Sequence, residues 1–365
     1  METHLQGLAR GQAALGAEVQ IVCVNHEGRG AGIAEELDGS VRVTRIGRLA
    51  RLSGLDFCPT LLMVLRCLRR EALDIVHLHT PNPTMLMPLV AGCPVPLIVT
   101  HHSDIVRQKL LRHMHAPFER IVYGRAQTLL SCSAGYIEGS DVLQRYRTKV
   151  EALPLGIDLD PYLAPSAAAL AFRDALRATH GGPLWLSVGR LVYYKGIEVA
   201  LEALRQVVGK LIVIGTGPLE AALRQRAEAL GVADRVIWFG HADPDQLVGA
   251  YQAAKAFWFP SVARSEGFGL VQVEAMASGC PVINTAIPGS GVTWVSPHEV
   301  TGLTVPVGDA IALAAAAQRL LDEEGLRDQL GRQGRERACS DFAEQKMAGR
   351  SLDIYRRVLS RVCAG

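Results

Sequence analysis

Short runs of Val, Ile and Leu alternate along the chain with stretches whose apolar residues have helical spacing. Continuous apolar runs of this kind predict strands buried on both faces, as in a parallel sheet covered by helices. In the first part of the chain the predicted strands are 19–25, 41–46, 75–79, 97–101, 128–133 and 150–155. In the second part they are 184–188, 210–214, 235–239, 256–259, 281–284 and 303–305.

The two series of strands predict an α/β protein with two doubly wound, Rossmann-like domains that face each other across a cleft. We place the N-terminal domain at 1–158, a Pro-rich and Gly-rich linker at 159–182, and a nucleotide-binding domain at 183–340. A final helix, 341–365, is expected to return to the N-terminal domain. In open parallel sheets ligands bind beyond the carboxyl ends of the strands, so candidate chemistry is expected just after them.

The start of the chain departs from the Rossmann pattern. A helix-like segment, 2–14, begins at once, where a central strand and a glycine-rich turn are expected. The sequence therefore predicts an N-terminal domain without its usual first strand and glycine turn. Two explanations are open, a true start upstream of Met1 or a first domain that closes its sheet in an unusual way.

Composition excludes several classes of protein. The 365 residues are 49% hydrophobic and 20% charged, which excludes disordered and collagen-like chains. The net charge of +2 gives no attraction to nucleic acid, although residues 1–150 hold 17 Lys and Arg against 13 Asp and Glu. Eight cysteines without a C-x-x-C pair predict free thiols in a reducing compartment. With no signal-peptide layout and no unbroken apolar span, we expect a cytoplasmic protein.

Two glutamates mark the segment 261–281. Glu266 follows a predicted strand, and Glu274 lies about one turn inside the helix that begins near Leu270. Gly267 and Gly269 let the backbone approach a ligand, and the helix start offers free N–H groups to an anion. For an arbitrary pair of glutamates, a helix cap and a solvated helical residue are the more common interpretation. The neighbouring cations favour a ligand site instead.

Two cations follow the strand 184–188 and are predicted to reach the same edge of the same sheet. Arg190 supplies a planar fork for phosphate oxygens and Lys195 a compact point charge, beside Gly189 and Gly196. A ligand with both a diphosphate and sugar hydroxyls needs both cations and carboxylates. The sequence therefore predicts a sugar-nucleotide site.

The motifs together resemble the successive signatures of retaining glycosyltransferases of family 4, which have the GT-B fold. They are Gly189-Arg190…Lys195-Gly196, Gly215-Thr216-Gly217-Pro218, Glu266-Gly267-Phe268-Gly269…Glu274-Ala275-Met276-Ala277 and Gly279-Cys280-Pro281-Val282. In the first domain the matching segments are 74–79, 100–109 and 153–158. The likeness to bacterial surface-polysaccharide mannosyl- and hexosyltransferases is carried by 102–109 and by Ser290-Gly291-Val292.

The resemblance implies a role for each matching residue. Arg190 and Lys195 bind the donor diphosphate, and Glu274 binds the ribose. Glu266 and His102 are the catalytic candidates, His102 reaching the donor sugar from the first domain. Further contacts to the donor sugar come from Gly267, Phe268 and Gly269, and glycines near the nucleotide are Gly189, Gly215, Gly217 and Gly240. The neighbouring His101 is an alternative to His102, and a histidine satisfied by local hydrogen bonds is another.

The implied reaction moves a hexose from a nucleoside-diphosphate sugar to a saccharide or lipid-linked saccharide, with retention and without a cofactor. The donor is expected to be GDP-mannose or a UDP-hexose. Two rival functions are open: a GT-B nucleotide-sugar epimerase, which needs no acceptor, and a binding-only remnant, which the absent first strand suggests.

Signals for a metal are weaker. Two D-x-D sequences, at 158–160 and 243–245, fit a linker start and a helix cap, and His77-x-His79 lacks a third ligand of suitable spacing. No metal is therefore expected.

The segment 105–125, with Arg107, Lys109 and Arg112, is basic and amphipathic. It fits either peripheral contact with the inner membrane face or a lipid-linked acceptor, or else a solvated helix.

Overall fold

The computed structural model describes residues 2–30, 32–52, 55–61, 73–90, 92–93, 95–104 and 109–363. The chain divides into two compact units. The first consists of Met1–Gly156 together with Glu344–Gly365, and the second is Ile157–Ala343.

Strands and helices alternate through most of the described residues. The strands are β1 (Gln20–Arg29), β2 (Ile33–Asp38), β3 (Val41–Arg48), β4 (Ala50–Leu52), β5 (Leu55–Phe57), β6 (Val76–Thr80), β7 (Leu97–His101), β8 (Thr128–Ser131), β9 (Val150–Ala152), β10 (Leu184–Val188), β11 (Lys210–Ile214), β12 (Val236–Gly240), β13 (Ala256–Phe259), β14 (Val282–Thr285) and β15 (Gly302–Val305). The helices are α1 (Glu2–Ala14), α2 (Pro83–Leu89), α3 (Lys109–Arg125), α4 (Ala134–Gly139), α5 (Asp141–Gln144), α6 (Asp160–Leu163), α7 (Ala167–His180), α8 (Ile197–Leu204), α9 (Glu220–Ala229), α10 (Pro244–Ala253), α11 (Leu270–Ala277), α12 (Val292–Val295), α13 (Ala310–Asp322), α14 (Leu326–Asp341) and α15 (Glu344–Cys363).

The first unit holds its strands in separate sheets. One sheet has the order β1-β3-β2, another is parallel with the order β6-β7-β8-β9, and β4 pairs with β5. Within the described residues, β1 and β6 are therefore edge strands of their sheets. The predicted absence of a first central strand stays a prediction. The α/β fold class, with parallel sheets in each unit, is confirmed.

Helix α1 packs closely on the C-terminal helix α15. The last residues of the chain belong to the first unit because of this packing. A Cβ placed on Gly11 would lie 2.7 Å from the Cβ of Ala348, so only a glycine allows this approach. The Gln12 amide donates to Ser351 Oγ at 2.8 Å and to the Tyr355 hydroxyl at 3.0 Å. These contacts fix α1 against α15.

The second unit contains one parallel six-stranded sheet of order β12-β11-β10-β13-β14-β15. The direction in which strands are added reverses between β10 and β13, which makes the carboxyl ends of these two strands the topological switch point. Trp185 and Trp258 stack in the core beneath it, with ring centroids 5.2 Å apart. The fold thus places the loops after β10 and β13 side by side.

Residues 159–182, which the sequence predicts as a linker, form α6 and α7 within the second unit. Ser166 caps α7 by accepting a hydrogen bond from the amide of Ala169. Gly249 of α10 lies so close that a Cβ there would be 2.5 Å from the Ala169 carbonyl oxygen. The segment is helical because its apolar side, with Ala169 and Leu176, is buried.

The short antiparallel pairings of the first unit are absent from the sequence prediction. In β2, five of six residues are exposed, so the strand lacks the apolar run by which buried strands are recognised. Its place in the sheet comes from antiparallel pairing with β3, from Ile33 opposite Ile46 to Asp38 opposite Val41.

The part of the basic segment that carries its first cations is not described. Arg107 lies outside the described residues, and so do the side chains of Lys109 and Arg112. Among the described residues, none of the helices combines the length and the apolar character needed to cross a membrane.

Candidate active site in the second unit

Lys195 and Glu266 form an ion pair at the switch point of the sheet. Lys195 ends a short 3-10 helix, Tyr193–Lys195, after β10, and Glu266 lies on the loop after β13. Lys195 Nζ is 2.6 Å from Glu266 Oε2, and the two side chains are only 13% and 11% exposed. The ammonium also lies 5.0 Å from the ring centroid of Phe259. An ammonium has three N–H donors, so this pair leaves donors for phosphate oxygens.

Glycines make the turn that delivers Lys195. Gly196 has φ +66°, and a Cβ there would lie 1.9 Å from the carbonyl oxygen of Pro260, at the end of β13. At Gly189, where φ is +142°, a Cβ would meet Lys195 Cε at 3.1 Å. Both positions therefore require glycine, for their backbone angles and for the space.

The other glycines near the predicted nucleotide lie at the carboxyl ends of neighbouring strands. The amide of Gly189 donates to the carbonyl of Ile214 at 2.9 Å, and that of Gly215 donates to the carbonyl of Gly240 at 2.7 Å. A Cβ on Gly217 would lie 2.4 Å from the carbonyl oxygen of Leu191. The structure thus brings these loops together.

Arg190 differs from the other predicted cation. Its side chain is exposed, and no hydrogen bond or ion pair joins it to another side chain among the described residues. It follows β10 on the same loop as Lys195. Arg190 is therefore placed at the predicted edge of the sheet, but it is not part of the buried ion pair.

The loop that carries Glu266 is held by hydrogen bonds that the sequence did not reveal. Ser261 Oγ donates to Glu266 Oε2 at 3.4 Å, and Ser290 Oγ donates to the Glu266 carbonyl. The amide of Gly291 donates to the carbonyl of Gly267 at 2.8 Å. Both ends of the turn are thereby fixed, and the Glu266 carboxylate is oriented by Ser261.

The side chain of Phe268 is part of the core. Its ring is buried and lies 5.7 Å, centroid to centroid, from Phe342, and 6.2 Å from Trp294. Only its backbone is available for the predicted contact to a donor sugar. Gly269, with φ +78°, packs against Phe259, where a Cβ would lie 2.6 Å from the ring.

Glu274 is oriented by a tyrosine from another helix. The Tyr251 hydroxyl donates to Glu274 Oε2 at 2.9 Å. Burial raises the pKa of Glu274, while the hydrogen bond from Tyr251 and the charge of Lys195 act in the opposite direction. Tyr251 is fully buried on α10. A buried tyrosine hydroxyl needs a partner, but the sequence does not say which one.

A second buried network supports α11 from behind. Gln272 Nε2 donates to the Phe268 carbonyl at 2.9 Å, and Asn284 Nδ2 donates to Gln272 Oε1 at 2.9 Å. Thr304 Oγ1 in turn donates to Asn284 Oδ1 at 2.8 Å. This chain of side chains ties the Glu266 loop and α11 to β14 and β15.

His102 lies in the first unit, directly after β7. Its Nε2 is 3.0 Å from Nδ1 of His79, and the two rings stack with centroids 5.2 Å apart. The neighbouring His101 is buried and bonded on both ring nitrogens, to the Tyr123 hydroxyl at 2.7 Å and to Asp104 Oδ1 at 3.0 Å. His101 is therefore the histidine satisfied by local hydrogen bonds, and His102 is the one left half-buried at the end of the strand.

The fold is an α/β fold with parallel sheets, and the candidate site lies at the switch point where such sheets commonly bind ligands. A family model described as a glycosyl transferase 4-like domain matches residues 1–156, and one described as glycosyl transferases group 1 matches residues 170–337. The chain belongs to this glycosyltransferase family, family 4 with the GT-B fold. It is a glycosyltransferase.

Individual glycosyltransferases are also similar to this chain in sequence and structure. The chain is 33% identical over 283 residues to the D-rhamnosyltransferase WbpZ of Pseudomonas aeruginosa, covering 77% of this chain and 73% of the relative. It is 28% identical over 291 residues to the O-antigen chain mannosyltransferase C of Escherichia coli, covering 80% and 77%. The solved structure of sucrose-phosphate synthase from Thermosynechococcus elongatus matches with a TM-score of 0.80 at 25% identity, covering 98% and 93%.

Removing the hydroxyl that orients Glu274 is expected to weaken donor binding. In Tyr251→Phe the carboxylate loses its donor, and hydrogen bonds to charged groups contribute about 1.5–3 kcal/mol. The KM for the donor sugar nucleotide should rise about tenfold or more, with kcat changed less. The matched control is Tyr146→Phe, a half-buried tyrosine of the first unit. Equal KM values for parent and Tyr251→Phe would show that Tyr251 does not position Glu274.

Proposed function

We propose that the chain transfers a hexose from a nucleoside-diphosphate sugar to a hydroxyl of a saccharide or lipid-linked saccharide, with retention of configuration. The observation that carries this proposal is the Lys195–Glu266 pair, 2.6 Å apart on two loops at the switch point of the sheet. The pair supports the proposal because an ammonium can bind a diphosphate and a carboxylate can accept hydrogen bonds from sugar hydroxyls, and because the switch point is where α/β sheets commonly bind nucleotides.

The proposed reaction requires stabilisation of the negative charge that develops on the leaving diphosphate. As the bond between the anomeric carbon and the diphosphate oxygen breaks, negative charge collects on the leaving diphosphate, and Lys195 stabilises it with Arg190 and nearby amides. The acceptor oxygen forms the new bond to the anomeric carbon, and its proton passes to the leaving phosphate. Glu266 accepts hydrogen bonds from the sugar hydroxyls while Glu274 holds the ribose. His102 is proposed to contact the donor sugar, as the family resemblance implies.

Mannose from GDP-mannose is the donor that we propose. The support comes from the relatives, which are named for transfer of D-rhamnose and of mannose, the latter to an O-antigen chain. Those names also support a place in bacterial polysaccharide synthesis and an acceptor that is a growing saccharide. We propose further that the donor site works without a metal, because Lys195 and Arg190 supply the positive charge that a cation would otherwise bring.

Donor choice is tested by thermal unfolding of the full chain with a panel of GDP-, UDP-, ADP- and dTDP-sugars. A ligand at a hundred times its Kd stabilises the native state by about 2.7 kcal/mol, so the cognate donor should raise the melting temperature most. GDP-mannose is expected to give the largest rise. A larger rise with a UDP-sugar would overturn the donor assignment, and no rise with any member would overturn the proposed function.

The reaction itself is tested by following donor consumption with and without oligosaccharide acceptors. Transfer predicts that consumption depends on the acceptor and that a glycosylated product accumulates. Conversion of the donor at the same rate without acceptor would instead support the epimerase.

A further inference from the structure

Three histidines from separate elements meet in the first unit. His4 lies on α1, His79 on β6 and His102 directly after β7. One ring nitrogen from each lies within 4.8 Å of those of the other two. Nδ1 of His79 and Nε2 of His102 are 3.0 Å apart, and the ring centroids of His4 and His102 are 5.2 Å apart. We call this set the three-histidine cluster.

The hydrogen bonds within the first unit join His79 to His102 but leave one of the three imidazoles unsatisfied. His4 is 6% exposed, and its buried Nδ1 has no hydrogen-bond partner among the described residues. A buried ring nitrogen without a partner is costly, and it points to a ligand or an ion that would fill the gap.

The neighbouring histidine is excluded from the set by its bonds. His77 Nδ1 is 2.6 Å from the Tyr355 hydroxyl, and its Nε2 is 2.7 Å from Thr100 Oγ1. With both ring nitrogens engaged, His77 has no lone pair for an ion. Three imidazoles remain, with neither carboxylate nor thiolate among them.

We propose that the three-histidine cluster binds one late first-row divalent metal ion, with zinc as the representative. Neutral imidazole is a preferred ligand of zinc, cobalt and nickel, whereas magnesium and calcium prefer oxygen ligands. Three histidines with a fourth position open is a known zinc arrangement. The cluster arises only from the fold, because His4 and His102 reach His79 from elsewhere in the chain.

One consequence rests on the proposed function. A nitrogen of His102 that binds the metal cannot also contact the donor sugar. Zinc bound at the three-histidine cluster is therefore expected to slow sugar transfer, and a chelator is expected to restore it.

The site is tested by titrating the full chain with cobalt(II) and with zinc. We expect one equivalent to bind, with the visible absorption of tetrahedral cobalt. His4→Gln and His79→Gln should each weaken binding by more than the about tenfold to hundredfold that loss of an outer-shell partner costs, because each removes one of three ligands. The matched control is His241→Gln, at an exposed histidine of the second unit, which should bind like the parent. Circular dichroism without metal shows whether each variant is folded.

The outcomes separate the two proposals. Failure of the parent chain to bind one equivalent would overturn the metal site, and so would a weakening by His241→Gln equal to that by His4→Gln and His79→Gln. One equivalent of zinc that binds to the parent chain but leaves its transfer rate unchanged would keep the site and overturn its link to His102 and the donor sugar. If the proposed function is wrong and no sugar is transferred, the cobalt titration still tests the metal site, because it does not depend on a donor.

Discussion

Replacing Lys195 with methionine is expected to lower the rate of sugar transfer by about 10²–10³-fold, the usual effect of removing one group that stabilises developing charge. Methionine keeps an unbranched stem and removes the ammonium, which lies 5.0 Å from the ring centroid of Phe259. The loss should appear in kcat, because the negative charge on the leaving diphosphate grows as the bond breaks. The measurement is steady-state transfer from the cognate donor.

The control for this variant is Lys255→Met, which removes an exposed lysine of the same unit. It should transfer sugar at the parent rate. Because Lys195→Met leaves the Glu266 carboxylate without its cation, circular dichroism and thermal unfolding must show that the variant is folded. A folded Lys195→Met variant with the parent kcat would show that Lys195 does not act on the leaving group.

Replacing Glu266 with glutamine is expected to lower kcat by about a hundredfold or more. The amide keeps the shape of the carboxylate and can still accept the hydrogen bond from Ser261, so the fold should be retained. It lacks the negative charge that pairs with Lys195 and that would accept strong hydrogen bonds from the donor sugar. The measurement is kcat alongside the Kd for the donor, which should change much less.

Glu198→Gln is the matched control, since Glu198 is exposed in the first turn of α8, close in sequence to Lys195. It should leave both kcat and donor binding at parent values. Should Glu266→Gln weaken donor binding and leave kcat at the parent value, the carboxylate would serve binding alone and its catalytic assignment would be wrong.

Much of the second unit could be predicted from the sequence because its strands are buried on both faces. The predicted strands at 184–188, 210–214 and 256–259 have the bounds of β10, β11 and β13. Their continuous apolar runs leave little ambiguity, and the rule that ligands bind beyond the carboxyl ends points to Lys195 and Glu266. The order of the strands makes these two loops neighbours. That order is set by how the strands pair in the sheet, so the apolar runs of the sequence do not predict it.

Residues that act through distant partners were not predictable in the same way. Tyr251 belongs to an amphipathic helix, and only the fold shows that its hydroxyl meets Glu274. His4 reaches the other histidines from α1, and no local spacing links it to them. The exposed strand β2 is set by its pairing, because its own residues show neither burial nor alternation.

Hydrogen exchange of the full chain with and without its sugar nucleotide tests the central claim most directly. Slowed exchange reports which backbone segments the ligand stabilises. Binding at the switch point predicts protection of residues 189–196 and 261–274, the segments that carry Lys195 and Glu266, with no change at 306–309, the loop between β15 and α13. Protection that leaves both of these loops unchanged and falls elsewhere in the second unit would contradict the account.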